Sequence, residues 1–278
     1  MNQSVEPVLA HAVLEREIVR DDFDRAIEEI TRNGFTVVKD VLKTELAKSM
    51  QTKLLQVYER QVKEMGGEEV LQEIKDSHIV RTPLAYDPTF LEVVNHPIIL
   101  KYLQKLLGSN FVLTSQVGIL NSPEENLYQY AWHRDLQYQH FVASRPLAIQ
   151  VLYCLDEFTL ENGGTLVLPA SHMFEKFPSD DYIRKHQIQI EAPKGSAIIF
   201  NSMLYHRAGI NRSAHLRAAI NHIYAMPIFQ QQFDIPSMLG KSTHNEELSS
   251  ILGYRWRAAP SVKQWREEHF ARLPGKTQ

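Results

Sequence analysis

The residues that point most directly to chemistry are His133 and Asp135, which stand one residue apart in the segment YQYAWHRDL. The segment is predicted to form a strand, where side chains two positions apart project from the same face, about 6.6 Å apart along the backbone. An imidazole and a carboxylate at that spacing can bind one metal ion. Because the chain contains 12 histidines, such a pair is weak evidence on its own.

A third ligand and an anion-binding side chain follow in the order that a β-barrel brings together. His206 comes after the predicted strand GSAIIFN, and Arg217 begins the predicted strand RAAINHIYAM. Two imidazoles and one carboxylate leave three adjacent positions of an octahedral iron open, which a bidentate keto acid and oxygen require. A hairpin through AGINRSAHL is expected to return Arg217 to the metal, where its guanidinium can pair with the far carboxylate of a dicarboxylate. These residues predict an iron(II) oxygenase.

Two kinds of periodicity position these residues. The first hundred residues are mainly helical, with helices predicted over 18–33, 44–65 and 90–107 and a short strand FTVV after Gly34. After Gly108 the chain changes to short β-rich runs divided by turn residues, without long intervening helices. Such a succession is typical of an antiparallel jelly roll. Short helices are predicted again over 246–252 and 261–273.

The predicted fold class is therefore mainly β with α. A helical flank over 1–108, a jelly-roll core over 109–226 and a C-terminal extension over 227–278 are expected to form one domain. The sequence contains no internal repeat, low-complexity tract or flexible linker that would divide them.

Composition and charge exclude several classes of partner. The formal net charge of −3 comes from 33 acidic and 30 basic residues spread along the chain, so we expect no nucleic acid or acidic membrane as partner. A single cysteine excludes an internal disulfide and a cysteine-based metal cluster. The start lacks a secretory pattern, and no segment has the roughly 18 apolar residues of a membrane span, so a cytoplasmic location is expected.

Three separated motifs, WHRD, ENGGTLVLPASH and YHRAGINRSAHLR, resemble in order and spacing the phytanoyl-CoA dioxygenase family of iron(II)- and 2-oxoglutarate-dependent oxygenases. With the entry segment NGFTVVKDVL, the resemblance covers about residues 21–226. It implies a double-stranded β-helix, a cupin-like jelly roll, with His133, Asp135 and His206 as metal ligands and Arg217 as the 2-oxoglutarate clamp. The cofactors it implies are iron(II), 2-oxoglutarate and O2.

The resemblance also nominates residues around the co-substrate. Gln116 stands where relatives use a glutamine to bind the keto acid, and Thr165 is the expected hydroxyl partner. Tyr153 stands where a relative carries a co-substrate-lining tryptophan, with packing in the core as the alternative. Many relatives place a serine or threonine two residues after the distal histidine. Ala208 offers no hydroxyl there, so the carboxylate needs another donor.

Reaction type and substrate are less sharply indicated. Related halogenases replace the carboxylate ligand with a small residue, so the presence of Asp135 favours hydroxylation or another oxidation over halogenation. Position nominates Arg81, Gln137 and Tyr138 for substrate contact, with surface, solvent and core roles respectively as alternatives. No cluster of basic residues marks an adenine nucleotide pocket, which favours a small polar metabolite over an acyl-CoA.

The predicted function is therefore a 2-oxoglutarate-dependent dioxygenase that hydroxylates a small organic metabolite and releases succinate and CO2. One alternative is a zinc- or manganese-dependent cupin-type isomerase or hydrolase. The other is a non-catalytic small-molecule-binding protein on the same fold, which the presence of all three ligands and Arg217 disfavours.

Overall fold

The computed structural model describes residues 8–123, 128–136, 141–271 and 273. Its helices are α1 (Asp22–Asn33), α2 (Thr44–Met65), α3 (Glu68–Glu73), α4 (Pro97–Leu107), α5 (Asp180–His186), α6 (Ile235–Leu239), α7 (Glu246–Ile251) and α8 (Val262–Ala271). Its strands are β1 (Phe35–Val38), β2 (Ile79–Arg81), β3 (Val112–Asn121), β4 (Ala148–Cys154), β5 (Leu166–Val167), β6 (Ile188–Gln189), β7 (Ala197–Asn201), β8 (His206–Arg207) and β9 (Arg217–Ala225).

The strands form two antiparallel sheets. A major sheet has the order β1–β7–β4–β9–β3–β2, and a minor sheet has the order β6–β5–β8. Apolar residues of both sheets share one core, among them Leu152 and Phe200 of the major sheet and Val167 of the minor sheet. This arrangement is a jelly roll, so the predicted fold class is confirmed.

The N-terminal helices cover the outer face of the major sheet. Met50 and Leu54 of α2 and Leu103 of α4 are fully buried in a core that also contains Val151 from β4. Close approach of α2 requires the absence of a side chain at Gly118 on β3, where a Cβ atom would lie 2.4 Å from Cδ1 of Leu54. The inner face of the major sheet therefore remains for the minor sheet and for whatever binds between the two.

Most predicted elements are present, with shifted ends. The helix predicted over 44–65 and the strand FTVV have the observed bounds, whereas the first and third predicted helices begin later, at Asp22 and Pro97. Near the C-terminus, α7 and α8 match the two predicted short helices. Among the described helices, none is long and apolar enough to cross a bilayer.

Two predictions about the site region were wrong. The segment YQYAWHRDL forms a single antiparallel bridge at His133 and then bends at Asp135, because its partner β8 is only two residues long. The predicted hairpin through AGINRSAHL is absent, since β8 belongs to the minor sheet and β9 to the major sheet. The chain crosses from one wall of the jelly roll to the other between His206 and Arg217.

The contact between α2 and the major sheet gives the first prediction. Replacing Leu54 with alanine should lower the free energy of unfolding by about 2–5 kcal/mol, because the side chain is fully buried against β3 and its loss leaves a cavity. Urea unfolding followed by circular dichroism measures the change. The neighbouring Leu55 is 37% exposed, and Leu55→Ala should cost less than about 1 kcal/mol. Equal losses in the two variants would contradict the packing described here.

Candidate metal centre

Three side chains converge between the two sheets. Nε2 of His133 lies 3.5 Å from Oδ1 of Asp135, and Nε2 of His206 lies 3.8 Å from Oδ2 of the same carboxylate. One ligand atom from each residue lies within 4.8 Å of the others, and the described ranges contain no second such group. Neighbouring ligands of a metal bound at about 2.1 Å are about 3 Å apart, so a small contraction would complete the site.

Backbone carbonyls orient both imidazole rings in the same way. Nδ1 of His133 lies 2.8 Å from the carbonyl oxygen of Ala131, and Nδ1 of His206 lies 2.9 Å from that of Leu204. Because a carbonyl oxygen only accepts, each Nδ1 carries the hydrogen and donates it. Each Nε2 therefore keeps its lone pair for a metal ion, and the carbonyl holds the ring in place.

The backbone joins the two ligand segments directly. The peptide N–H of His133 donates to the carbonyl of His206 at 3.0 Å, and the N–H of His206 donates back at 3.1 Å. The N–H of Asp135 donates to the carbonyl of Ser202 at 3.2 Å, next to the turn that follows β7. These three bonds place all three ligands at one end of the minor sheet.

Arg134 anchors the segment that contains His133 and Asp135 to the loop that follows β5. Its side chain is buried, and it donates to the carbonyls of Ser171 at 2.8 Å and of Phe174. The guanidinium also stacks 3.9 Å from the ring centre of Tyr205. Since Arg134 points away from its two neighbours, it anchors the bend that presents His133 and Asp135.

Electrostatics keep His206 neutral. The pKa of His206 is lowered to about 4, chiefly by burial and also by the adjacent His133, against the opposing effect of Asp135. A neutral imidazole can coordinate a metal ion without first losing a proton. The donor set of two imidazoles and one carboxylate therefore suits a divalent transition metal with open coordination positions.

Arg217 lies in the same cleft as the triad, at the start of β9. Its side chain is 2% exposed, its Nε donates to the carbonyl of Asn162 at 3.3 Å, and its guanidinium lies 3.9 Å from the ring centre of Phe158. Burial lowers the pKa of Arg217 to about 10, so the group stays charged at neutral pH. Asp156, which raises this pKa, pairs with Lys194 at 3.1 Å. Arg217 thus presents a buried positive charge without a carboxylate partner in the described chain.

Of the other predicted co-substrate residues, Thr165 reaches the cleft and Ala208 contributes no hydroxyl there. Thr165 is 5% exposed. The remaining cleft wall combines apolar, amide and guanidinium side chains: Ile119, Gln129, Gln150, Leu152, Phe200, Arg207 and Asn221.

Gln116 does not reach the cleft, and its predicted contact with the keto acid is corrected. Its Oε1 accepts from the N–H of Leu84 at 2.8 Å, and its Nε2 donates to the carbonyl of Phe90 at 3.0 Å and lies 2.8 Å from Nε2 of His222. Gln116 pairs with His222 in the sheet, and both face the helices. A displacement of one residue along a strand changes the face, and Gln116 stands on the face opposite to that of Ile119, which lines the cleft.

Tyr153 is corrected for the same reason. Its hydroxyl donates to the carbonyl of Val93 at 2.8 Å, and the side chain is fully buried in the helix-facing core. The alternative weighed from the sequence, packing in the core, therefore holds. Leu152, the preceding residue on β4, faces the cleft instead.

The structure describes one of the three predicted substrate-contacting residues. Arg81 forms an ion pair with Asp76 and stands opposite Val117 at the edge of the major sheet, outside the residues that line the cleft. Gln137 and Tyr138 lie outside the described residues.

Sequence reasoning missed Gln150 and Asn221 as cleft residues. Side chains alternate between faces along a strand, so Asn221, four positions after Arg217, shares its face. The same rule places Gln150 with Leu152 on β4. The sequence signal was a polar residue within an otherwise apolar strand. It identifies a cleft residue only when the face of the strand that lines the cleft is already known.

Comparisons with known proteins agree with this geometry. A family model described as phytanoyl-CoA dioxygenase matches residues 30–219. An uncharacterised protein of Mycobacterium tuberculosis is 27% identical over 92% of this chain and 95% of that protein. The peroxisomal phytanoyl-CoA dioxygenase of Bos taurus is 21% identical, over 69% of this chain and 65% of that protein. The dioxygenase aneA of Aspergillus aculeatus is 29% identical over 46% of each chain.

Two solved structures share the fold. The non-heme alpha-ketoglutarate-dependent epimerase SnoN from nogalamycin biosynthesis has a TM-score of 0.58 at 16% identity, over 73% of this chain and 83% of that chain. The non-heme monooxygenase ThoJ, solved as a nickel complex, has a TM-score of 0.57 at 19% identity, over 73% and 77%. At these identities the likeness establishes a common architecture.

The network behind the cleft gives a prediction for acid stability. Nδ1 of His222 lies 2.8 Å from the hydroxyl of Tyr224, and burial lowers the pKa of His222 to about 3. In the unfolded chain the pKa of His222 is about 6.5, so between about pH 6.5 and 3 the unfolded chain binds a proton at this residue and the folded chain does not. His222 therefore lowers the free energy of unfolding as pH falls from about 6.5 toward 3. His222→Gln should reduce the slope of unfolding free energy against pH by about 1.4 kcal/mol per pH unit in that range.

Urea unfolding at several pH values between about 4.5 and 6.5 measures this slope. Tyr224→Phe is the control, because it removes a hydrogen bond at every pH but leaves His222 buried and should keep the slope. An unchanged slope in His222→Gln would contradict the assignment of His222 as a buried neutral base.

Proposed function

The chain belongs to the phytanoyl-CoA dioxygenase family, and we propose that it is an iron(II)- and 2-oxoglutarate-dependent dioxygenase that hydroxylates a small organic metabolite. The co-substrate would be converted to succinate and CO2, with O2 consumed. The observation that supports this proposal best is one cleft with His133, Asp135 and His206 on one wall and the buried charge of Arg217 on the other.

The triad would hold iron(II) through Nε2 of both histidines and one oxygen of Asp135. When bound, iron(II) with O2 and the keto acid supplies the oxidising power to hydroxylate an unactivated carbon. The protein contributes a neutral imidazole at His206 and two pre-oriented rings, so that binding of the metal requires neither proton release from His206 nor rotation of the rings.

Arg217 would bind the far carboxylate of 2-oxoglutarate. Its charge is buried, its Nε is held by Asn162, and Phe158 covers one face of the guanidinium, so the remaining N–H groups are directed by the protein before the ligand arrives. Many relatives have a serine or threonine at the position of Ala208, and Thr165 is the proposed hydroxyl donor in its place. Ile119, Leu152 and Phe200 would exclude water from the reacting carbon.

Hydroxylation of a small polar metabolite is the finer part of the proposal. The carboxylate of Asp135 occupies the position that a chloride ligand would need, which favours oxygen insertion over halogenation. Arg81, Gln137 and Tyr138 remain proposed substrate contacts, and neither nucleic acid nor a membrane is a proposed partner. The helical flank shares its core with the major sheet, which supports a single catalytic domain.

A metal-dependent isomerase or hydrolase on the same fold is the second candidate. Such an enzyme would use the triad, but its reaction would not require a buried arginine that binds a dicarboxylate. Adding iron(II) and 2-oxoglutarate without oxygen should give a weak visible absorption band in the proposed oxygenase. The absence of the band, with tight zinc binding, would favour the isomerase or hydrolase.

Substitution of the metal ligands tests the triad. His133→Ala and Asp135→Ala should each abolish succinate formation, because two remaining ligands do not hold iron(II) in place. The fold should survive, since the jelly-roll core is packed elsewhere. Succinate release, iron content and circular dichroism are the measurements. Normal turnover in either variant would remove that residue from the site.

Substitution of Arg217 tests the co-substrate clamp. Arg217→Leu should weaken 2-oxoglutarate binding at least tenfold, because a charge-assisted bidentate interaction is lost, while iron affinity changes little. Titration of the anaerobic visible band with 2-oxoglutarate gives the affinity. The exposed Arg212 is the matched control, and Arg212→Leu should leave the titration unchanged. Equal losses of iron and 2-oxoglutarate affinity in Arg217→Leu would assign the arginine a structural role.

A further inference from the structure

We infer that Gln150 and Asn221 form the polar anchor for the primary substrate, and that they recognise a lactam or another cis-amide. The inference rests on the proposed function, because it places the substrate in the cleft of the metal triad. It adds a substrate class and two specificity-determining residues to that function.

Two paired amide groups carry the inference. Nδ2 of Asn221 donates to Oε1 of Gln150 at 2.8 Å. The other atom of each amide, Nε2 of Gln150 and Oδ1 of Asn221, is buried and has no hydrogen-bond partner in the described part of the chain. Gln150 is completely buried, and both residues line the metal cleft.

Unpaired polar atoms in such a place indicate a ligand. A buried donor or acceptor without a partner is destabilising, and most such atoms in folded proteins are satisfied. The conclusion is independent of how the amide oxygen and nitrogen atoms are assigned. If both amides are rotated by half a turn, the mutual hydrogen bond reverses, and one unpaired donor and one unpaired acceptor remain.

The position of the pair suits a substrate close to the metal. Gln150 stands directly opposite Phe200 on the neighbouring strand, and the ring centre of Phe200 lies 4.9 Å from that of His206. The amide pair is therefore part of the sheet wall beside the triad. A ligand group bound there would hold the adjacent carbon near the metal.

The chemistry of the pair distinguishes the substrate from the co-substrate. The carboxylates and keto group of 2-oxoglutarate only accept hydrogen bonds, so they would leave Oδ1 of Asn221 without a donor. A neutral group with adjacent N–H and C=O satisfies both atoms. A cis-amide presents its N–H and C=O on one edge, as in a lactam or a cyclic dipeptide. Ile119 and Leu152 in the same cleft provide apolar contacts for the ring carbons.

Three small probes test the requirement for the N–H. δ-Valerolactam carries both groups, δ-valerolactone lacks the N–H, and N-methyl-δ-valerolactam has the N–H replaced. Each is titrated into the full chain loaded with manganese(II) and 2-oxoglutarate without oxygen, and the paramagnetic relaxation of the probe protons is followed by NMR. We expect the lactam to bind roughly tenfold more tightly than either analogue, as the loss of one paired hydrogen bond with an orphaned partner implies.

Variants of the pair connect the preference to these residues. Asn221→Leu should abolish the preference for the lactam, because it removes the acceptor for the lactam N–H, whereas Gln150→Met should weaken binding of all three probes alike, because each of them carries the carbonyl group. Both variants should change 2-oxoglutarate affinity less than about twofold. Gln129→Met is the matched control, because Gln129 lines the same cleft without an orphaned amide atom, and it should keep the preference. Asn221→Asp retains the acceptor in a side chain of the same size and should keep the preference even if the leucine variant unfolds.

Equal binding or no binding of the three probes to the loaded wild-type chain would overturn the inference. So would variants that keep the lactam preference but lose 2-oxoglutarate affinity, since the pair would then serve the co-substrate. Failure of the proposed function gives a different result, because 2-oxoglutarate would not bind the wild-type chain at all.

Discussion

The site depends on one short piece of backbone pairing. His133 and His206 exchange two peptide hydrogen bonds, and these bonds unite two segments that are distant in the sequence. Each histidine then uses a carbonyl two residues earlier to fix its ring. Main-chain geometry therefore sets the positions of Nε2 of both histidines.

The two faces of the major sheet differ in role: the outer face packs against helices, and the inner face lines the cleft. The outer face packs on α2 and α4 and contains a closed polar chain in which Gln116, His222 and Tyr224 satisfy one another and the carbonyls of Phe90 and Val94. On the inner face, Nε2 of Gln150 and Oδ1 of Asn221 have no hydrogen-bond partner within the described residues. A polar side chain in a buried strand therefore has a structural or a ligand-binding role according to whether its hydrogen bonds are complete.

A buried charge lies at the proposed binding site of 2-oxoglutarate. Arg217 lies between Phe158 and the carbonyl of Asn162, and glycines surround this region because the backbone approaches closely. A Cβ atom at Gly163 would lie 2.3 Å from the carbonyl oxygen of Gly209, and φ at Gly163 is +77°, in the left-handed region. The motif ENGGTLVLPASH thus supplies more than Thr165, because its glycines allow the segment before β5 to approach the segment after β8 closely.

The sequence by itself determined the fold class and the identity of the triad. Helical and alternating periods are local properties, and they predicted α2 and β1 at their observed bounds and the jelly roll as a whole. Motif order predicted which three side chains meet, because only a few residue types can hold a divalent transition metal. Only the tertiary structure decided which face each strand residue occupies. Gln116 and Tyr153 were assigned to the cleft and lie behind it, whereas Gln150 and Asn221 line it. A shift of one position reverses every side chain of a strand, and that register is set by cross-strand pairing and by the packing of helices that are remote in the sequence.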